Sequence, residues 1–464
     1  MYKKMRWNMQ NRKRMAILAA VALMAFTGCS SSSSKEESKT ESTEGETVQT
    51  ETKTEAQTKK ETDDMAETTE STKEYEYDFK GMTDLRTDIL TDDQVELALP
   101  LDKYVDKNAV ADVIRKAKAG EDVTIACIGG SITMGTISSG TSDDKIIKEV
   151  GKENYANIFF DWWKKNFPDT KFEFINAGIG ATGSYLAVHR VANDVLSKKP
   201  DLVLVEFSVN DAGVKHNQTT YENLVREIRR SEGSPAVMLL FMSQTNGSSA
   251  ITTHQEIGLY YNLPMISYGN MIIKLMANKV YEAGELAGDE VHPTALGHAI
   301  TGELLWKYLN DIYAHLDEIP AAEPFDQEKA YFTKPKYVDG TILDRLSITP
   351  DEMGTFEESK KFDQFPNDWT SSEGEGGLKF TATFRNLGVM YYRITNGKGA
   401  KYDVYVDGEK VGTLNSDFKG GWGSYAESEE VYSSDEAKEH KVEFKKSADS
   451  AEEVFTVLGL LVTQ

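Results

Sequence analysis

Between residues 108 and 316, short runs of consecutive apolar residues alternate with longer amphipathic segments. The apolar runs lie at 123–128, 172–176, 202–207, 236–242 and, in shorter form, 265–267. The amphipathic segments lie at 109–118, 154–166, 184–197, 221–230 and within 293–316. Strands that are apolar along their whole length must be covered on both faces, so this order predicts a parallel sheet between two layers of helices.

The pattern changes after about residue 320, where Pro324, Pro335 and Pro350 disfavour helices. Alternating polar and apolar residues then predict short strands, at 378–384, 389–394, 402–406, 411–414, 441–444 and 454–462. Asp407-Gly408 is a hairpin signal between two of them. We therefore expect an all-β accessory domain at 321–464, in the form of a jelly-roll-like sandwich. Its aromatic residues either stack on sugars or, as we favour, pack in its core; the candidates are Trp369, Trp422 and Tyr425.

The first 28 residues combine basic residues at 3–14 with an apolar run at 15–26, a pattern typical of an export signal. The apolar run is shorter than the roughly 20 residues that a transmembrane helix needs. Gly28-Cys29 follows, and this end resembles the bacterial lipobox. The resemblance implies a lipoprotein signal peptide at 1–28, lipidation of Cys29 and attachment to the outer side of the cell membrane. An ordinary cleaved signal with an incidental cysteine is the alternative.

Residues 29–74 consist almost wholly of Ser, Thr, Glu, Lys, Gln and Asp. Such a segment lacks the apolar area that offsets chain entropy, which predicts a disordered linker. Residues 75–107 are less regular, and we expect an extended arm or strand there. The formal net charge of the whole chain is -23, which repels phosphate backbones and argues against nucleic acid as a partner.

Three loops that follow predicted strands carry groups suited to catalysis. Residues 123–128 run into Gly129-Gly130-Ser131, where the glycines permit a sharp turn and bring a serine to the edge of the sheet. Residues 176–183 form a small-residue loop whose backbone N–H groups suit an oxyanion. After residues 202–207, the side-chain amide of Asn210 can donate to the same charge. Sites in parallel sheets form beyond the carboxyl ends of the strands, so these groups are expected to lie close together.

A fourth loop places Asp289 three residues before His292. Histidine side chains titrate near neutral pH, so His292 can take a proton from a serine hydroxyl. Asp289 can accept a hydrogen bond from the other ring nitrogen and fix its tautomer. Each of the four loops taken alone has an ordinary explanation as a turn or a helix cap. All four in one order indicate a hydrolytic site.

In this order the four loops resemble those of the SGNH (GDSL-like) hydrolase family, over about residues 123–298. The resemblance implies a flavodoxin-like, three-layer α/β/α domain, which we place at 108–320, and a serine esterase. It implies that Ser131 is the nucleophile and that Asp289 and His292 are the acid–base pair.

The same resemblance implies an oxyanion hole formed by the Ser131 N–H, the Asn210 side chain and a backbone N–H of Gly180 or Ala181. The family's glycine in the second loop aligns best with Ala181, whose N–H can serve the hole if its φ is negative. In the third loop Ser208 replaces the usual glycine, which changes bulk and leaves the Asn210 donor in place. Thr133 is a candidate for supporting the nucleophile loop.

No cofactor and no metal site are expected. The other histidines considered lack the spacing of metal ligands and are interpreted as structural or surface residues; they are His189, His216, His254 and His298. Export, the acidic surface and the accessory domain favour an esterase that removes O-acyl groups, chiefly acetyl, from an acylated polysaccharide or oligosaccharide. The alternatives are a lipase, lysophospholipase or thioesterase of the same family, an acyltransferase, and a non-catalytic carbohydrate-binding lipoprotein of the envelope.

Overall fold

The computed structural model describes residues 89–138, 149–150, 153–371, 376–420 and 423–464. The expected signal peptide, Cys29, the linker at 29–74 and Trp422 lie outside the described residues.

A five-stranded parallel sheet with the spatial order β4-β1-β5-β6-β7 lies at the centre of the first half. In chain order the strands of this half are β1 (Val123–Gly129), β2 (Thr136–Ile137), β3 (Glu149–Val150), β4 (Phe172–Gly178), β5 (Leu202–Glu206), β6 (Ala236–Leu240) and β7 (Met265–Ile266). β2 and β3 form a separate antiparallel pair. The predicted parallel sheet is confirmed, and the carboxyl ends of the adjacent strands β4, β1 and β5 lie side by side.

Helices cover both faces of this sheet. They are α1 (Asp92–Ala98), α2 (Asn108–Lys118), α3 (Ser131–Met134), α4 (Tyr155–Asn166), α5 (Ser184–Asp194), α6 (Lys215–Arg230), α7 (Ile251–Tyr261), α8 (Tyr268–Ala277), α9 (Ala283–Leu286) and α10 (Ala295–Ala314). Short 3-10 helices lie at Asp102–Tyr104 and Leu196–Lys198. α2, α4, α8 and α10 share one apolar core with alternate strand residues such as Ile125 and Cys127. The intervening Ala126 and Ile128 are buried as well, on the face that α5, α6 and α7 cover, so the three-layer prediction is confirmed.

The prediction of an extended arm or strand at 75–107 is wrong for the part that the structure describes, because α1 lies there. Thr91 caps this helix: its hydroxyl accepts from the Gln94 N–H at 3.4 Å, and the Gln94 side chain accepts from the Thr91 N–H at 3.0 Å. The sequence contains the Thr-x-x-Gln pattern of such a capping box, which favours a helix although the segment has no regular apolar period. α7 and α8 were not predicted at all. In α7, burial of polar residues such as His254 and Gln255 alongside apolar ones removes the amphipathic period.

The C-terminal half is an all-β domain, as predicted, built as one eight-stranded sheet. Its strands are β8 (Thr341–Leu343), β9 (Phe356–Ser359), β10 (Asp368–Ser371), β11 (Leu378–Arg393), β12 (Lys401–Val406), β13 (Glu409–Asn415), β14 (Tyr425–Lys446) and β15 (Thr456–Thr463). The strands predicted at 378–384 and 389–394 are one strand, because bulges near Asn386 shift the register without ending it. Trp369 is 1% exposed and packs on Phe380, which assigns it to the core rather than to a sugar-binding surface.

The connection between the two halves runs over helix α6. Arg226 donates to the carbonyl oxygens of Gln327 and Lys329 at 2.9 and 2.6 Å, and buried Glu222 accepts from the Thr333 N–H at 2.6 Å. Tyr337 then donates to Glu430 of β14. The β domain is thus held against the α/β domain by buried polar contacts. Among the residues that the structure describes, no helix is both long enough and apolar enough to cross a lipid bilayer.

Candidate active site

The turn that carries Ser131 follows directly from strand β1. Gly130 is the N-cap of α3, and Ser131 is the first residue of that helix. A Cβ atom on Gly130 would lie 2.1 Å from Oδ1 of Asn210, so only glycine permits this approach of the third loop. The Gly-Gly-Ser sequence therefore brings a serine and an amide together at the carboxyl edge of the sheet, as predicted.

The Asp289–His292 turn lies between α9 and α10 and faces Ser131, although 161 positions separate Ser131 from His292. Ser131 Oγ is 2.8 Å from His292 Nε2, and His292 Nδ1 is 2.6 Å from Asp289 Oδ2. The other oxygen of Asp289 accepts from the His292 backbone N–H at 2.6 Å and from the Val291 N–H at 3.2 Å. The three predicted side chains thus form one continuous hydrogen-bonded row.

The environment of Asp289 favours its ionised form. Partial burial raises the pKa of this carboxyl, but the hydrogen bonds from the ring and backbone of His292 outweigh burial and hold the pKa below its ordinary value. A charged Asp289 accepts from Nδ1–H, which leaves the lone pair of Nε2 directed at the Ser131 hydroxyl. The side chains of His292 and Asp289 are 15% and 16% exposed, so the row is partly accessible to solvent.

The second loop also reaches the serine. A Cβ atom on Gly180 would lie 3.8 Å from Ser131 Cβ, which sets this peptide beside the nucleophile position. Ala181 has a φ of +60°, so the condition of a negative φ is not met. The backbone at this position is left-handed, which explains in physical terms why a glycine is usual there. Ser208 is buried, and its hydroxyl donates to the Met242 carbonyl oxygen at 2.7 Å, which satisfies the group that replaces a glycine.

A buried polar network beneath the Ser131 turn was only partly anticipated. The Thr133 hydroxyl lies 2.6 Å from the Tyr155 hydroxyl and donates to Glu206 at 3.1 Å, so the support role suggested for Thr133 has a structural basis. Glu206 ends β5 and is fully buried; burial, reinforced by the negative charge of Asp211, raises its pKa to about 7 despite opposing hydrogen bonds from Thr133 and Gly130. The signal in the sequence was a single glutamate in an otherwise apolar strand.

A second Asp–His pair lies behind the second and third loops. Asp211 Oδ2 is 3.1 Å from His254 Nε2, and Asp211 Oδ1 accepts from the Ser184 N–H at 2.9 Å. Both side chains are fully buried, and the Tyr221 ring stacks on His254 at 3.6 Å. Asp211 therefore ties the third loop to the start of α5, and His254 is structural, as interpreted from the sequence. Within the described part of the chain, no group of three or more His, Cys, Asp or Glu side chains could hold a metal ion.

Comparison with known proteins agrees with this geometry. The model of the GDSL-like Lipase/Acylhydrolase family matches residues 127–300. A two-domain esterase active on acetylated mannans, co-crystallised with mannopentaose, is 30% identical; the match covers 77% of this chain and 95% of that protein, with a TM-score of 0.67. The chain belongs to the GDSL-like lipase/acylhydrolase family. A second structure of a two-domain esterase active on acetylated mannans matches at 30% identity over the same shares, with a TM-score of 0.66.

Other solved structures match with lower identity. An acetylxylan esterase from Geobacillus stearothermophilus is 19% identical, and the match covers 42% of this chain and 95% of that protein, with a TM-score of 0.33. A search of curated proteins finds no match. Membership of the GDSL-like family, together with the two-domain relative, identifies the chain as a carboxylic ester hydrolase.

Proposed function

We propose that this esterase removes acetyl groups from an oligosaccharide or polysaccharide, with Ser131, His292 and Asp289 as its catalytic triad. The observation that carries the proposal is the row of hydrogen bonds at 2.8 and 2.6 Å that joins the three side chains at the carboxyl edge of the sheet. A serine, a histidine and a carboxylate in this arrangement perform acyl transfer in many unrelated folds.

In the first half of the reaction, His292 Nε2 takes the proton of Ser131 while Oγ bonds to the ester carbonyl carbon. The carbonyl oxygen becomes an oxyanion, which the Ser131 N–H, an N–H of the second loop and the Asn210 amide stabilise. His292 then gives the proton to the sugar oxygen as its bond to carbon breaks, which leaves acetylated Ser131. In the second half, His292 takes a proton from water, whose oxygen attacks the acetyl carbonyl carbon. The bond from that carbon to Ser131 Oγ then breaks, His292 returns the proton to Oγ, and acetate leaves.

The substrate class is proposed from the relative and from the surroundings of the site. The relative at 30% identity is active on acetylated mannans. In this chain the β domain reaches the edge of the sheet that carries Ser131, since Gln364 Nε2 lies 3.5 Å from the sulfur of Met134 in α3. Phe362 and Phe365, which flank Gln364, are partly exposed and stack at 6.0 Å. Aromatic faces of this kind pack well on the apolar faces of sugars.

The proposal also includes export and a lipid anchor at Cys29 on the outer face of the membrane. It is supported by the basic residues at 3–14, the apolar run at 15–26 and Gly28 before the cysteine. Replacing Cys29 by Ala should release the enzyme from the membrane fraction into the medium, while the original chain incorporates labelled fatty acid. Equal membrane retention of both proteins would count against the anchor.

Ser131→Ala tests the chemistry. We expect kcat on an aryl acetate to fall at least about 1000-fold, because the remaining site lacks the attacking oxygen. Ser197→Ala, which changes an exposed serine in the 3-10 helix Leu196–Lys198, is the matched control and should retain full activity. Turnover by Ser131→Ala equal to that of the control would remove the basis of the mechanism.

The substrate is tested with acetylated mannan and xylan oligosaccharides beside aryl esters of increasing acyl length. We expect the highest kcat/KM on an acetylated glycan and a steep fall beyond acetyl among the aryl esters. A rise in kcat/KM with acyl length would instead favour the lipase alternative.

A further inference from the structure

A serine outside the proposed triad clips the Asp289–His292 turn at both ends. Ser138 follows β2, and its hydroxyl donates to the His292 carbonyl oxygen at 2.6 Å while it accepts from the Gly288 N–H at 2.7 Å. The Ser138 backbone N–H donates to the Pro293 carbonyl oxygen at 3.0 Å. A single buried side chain thus spans the turn from the residue before Asp289 to His292 itself.

His298 makes a second connection between the same two segments. Its Nε2 lies 3.0 Å from the Thr136 carbonyl oxygen, and its Nδ1 accepts from the Tyr155 N–H at 3.2 Å. Because Nδ1 is an acceptor, Nε2 carries the proton and donates to Thr136. Burial lowers the pKa of His298 to about 4, so the ring stays neutral and keeps this tautomer around neutral pH. β2 is therefore tied both to the Asp289–His292 turn and to helix α10, which follows it.

The flanks of the turn are also joined to each other, because the Thr294 N–H donates to the Leu286 carbonyl oxygen at 2.9 Å and the Thr294 hydroxyl donates to the Glu285 carbonyl oxygen at 2.6 Å. The turn lies outside the parallel sheet, and Glu290 holds a left-handed φ of +68° that a side chain disfavours. Beyond the hydrogen bonds to Asp289 and the Ser138 clip, two contacts reach Glu290: its carbonyl oxygen accepts from the Thr245 N–H at 2.9 Å, and its carboxylate accepts from the Asn246 side-chain amide at 3.3 Å. β2 begins immediately after Gly135, which ends α3, so the clip is anchored to the segment that carries Ser131.

We propose that Ser138 and His298 are positioning residues that set the distance between Ser131 and His292, by tying the acid–base turn to the segment that follows the nucleophile. The inference rests on the proposed function, because it assigns the two residues a role only through His292. Both bonds of the Ser138 hydroxyl are to backbone groups that flank Asp289, so its removal should loosen the turn that carries Asp289 and His292 together.

Ser138→Ala is the main test. We expect kcat on an aryl acetate to fall about tenfold with KM nearly unchanged, since a shift of His292 affects proton transfer more than binding. Ser138→Cys keeps a weaker donor and acceptor of similar size, so its kcat should lie between those of the original enzyme and Ser138→Ala. Thermal unfolding of each variant shows whether it is folded, and Ser197→Ala again serves as the control.

A double-mutant cycle separates positioning from general stabilisation. In a His292→Ala background, Ser138→Ala should not lower the residual activity further, because its effect passes through the imidazole. The proton NMR signal of the His292–Asp289 hydrogen bond should shift or exchange faster in Ser138→Ala and stay unchanged in Ser197→Ala. An unaltered kcat in folded Ser138→Ala, or an equal loss in both backgrounds, would overturn the inference.

Labelling of Ser131 by a fluorophosphonate distinguishes failure of this inference from failure of the proposed function. If Ser131 is labelled and Ser131→Ala is inactive while Ser138→Ala reacts at the original rate, the triad stands and the positioning role is wrong. If Ser131→Ala remains active and no label enters Ser131, the proposed function fails and the inference fails with it.

Discussion

The turn that carries Ser131 and the turn that carries Asp289 and His292 are built in opposite ways. The first continues a central strand and rests on buried side chains, chief among them Thr133 and Glu206. The second lies between two helices, stays partly exposed and is held mainly through backbone hydrogen bonds. One half of the site is part of the core, and the other is attached to it. A change beneath the first should therefore affect stability most, and a change in the second should affect catalysis most.

The carboxyl beneath the first turn and the carboxyl in the second turn differ in the charge state that each favours. Burial raises the pKa of Glu206 to about 7, whereas hydrogen bonds from His292 outweigh burial and lower that of Asp289. Glu206 therefore stabilises the fold in its protonated form, and Asp289 does so in its ionised form. The contribution of Asp289 is present above its ordinary pKa of 3.8 and is lost as the pH falls below it.

Asp289→Asn gives the largest expected effect. An asparagine amide keeps the shape of the turn but disfavours the ring tautomer that leaves Nε2 free, so we expect kcat to fall between about 1000- and 10,000-fold. The free energy of unfolding near pH 7 should change little by comparison. Glu290→Gln, at the exposed neighbouring position, is the matched control. Loss of less than tenfold in kcat would mean that the acid–base turn does not depend on its carboxylate.

The two turns also differ in how much of each could be predicted from the sequence. Ser131, Asn210 and the glycine loop could be predicted because each follows an apolar strand, and parallel strands bring their carboxyl ends to one edge. Asp289 and His292 could be predicted from their spacing in relation to those loops. Their support could not, because Ser138 pairs with His292 across 154 positions. No local pattern encodes a contact of that range.

Glu206→Gln tests the buried half of the comparison through stability rather than rate. Because the folded pKa is raised, the stabilising contribution of the neutral carboxyl is complete below its ordinary value of 4.5 and is lost as the pH rises through about 7. A neutral glutamine avoids that loss. Between these two pH values, the free energy of unfolding of the original chain should fall by about 3 kcal/mol relative to that of the variant.

Denaturant unfolding of both proteins at about pH 4.5, 5.5, 6.5 and 7.5, which spans the interval from 4.5 to about 7, measures this difference. Glu173→Gln is the control, since Glu173 is an exposed residue of strand β4 in the same sheet. A constant difference between the original chain and Glu206→Gln across the series would show that the carboxyl does not change its charge there.

Ala181→Gly gives the smallest expected effect and tests backbone strain in the second loop. Ala181 holds a φ of +60°, where a glycine is unstrained, but glycine also gains freedom in the unfolded chain. The two terms oppose each other, so the free energy of unfolding should rise by no more than about 1 kcal/mol, with kcat retained. Gly120→Ala supplies the reverse change at a φ of +78° in an open turn, and should lose about as much. If Ala181→Gly instead lowered kcat while raising stability, the alanine side chain would be holding the second loop against Ser131, and the rigid half of the site would extend into that loop.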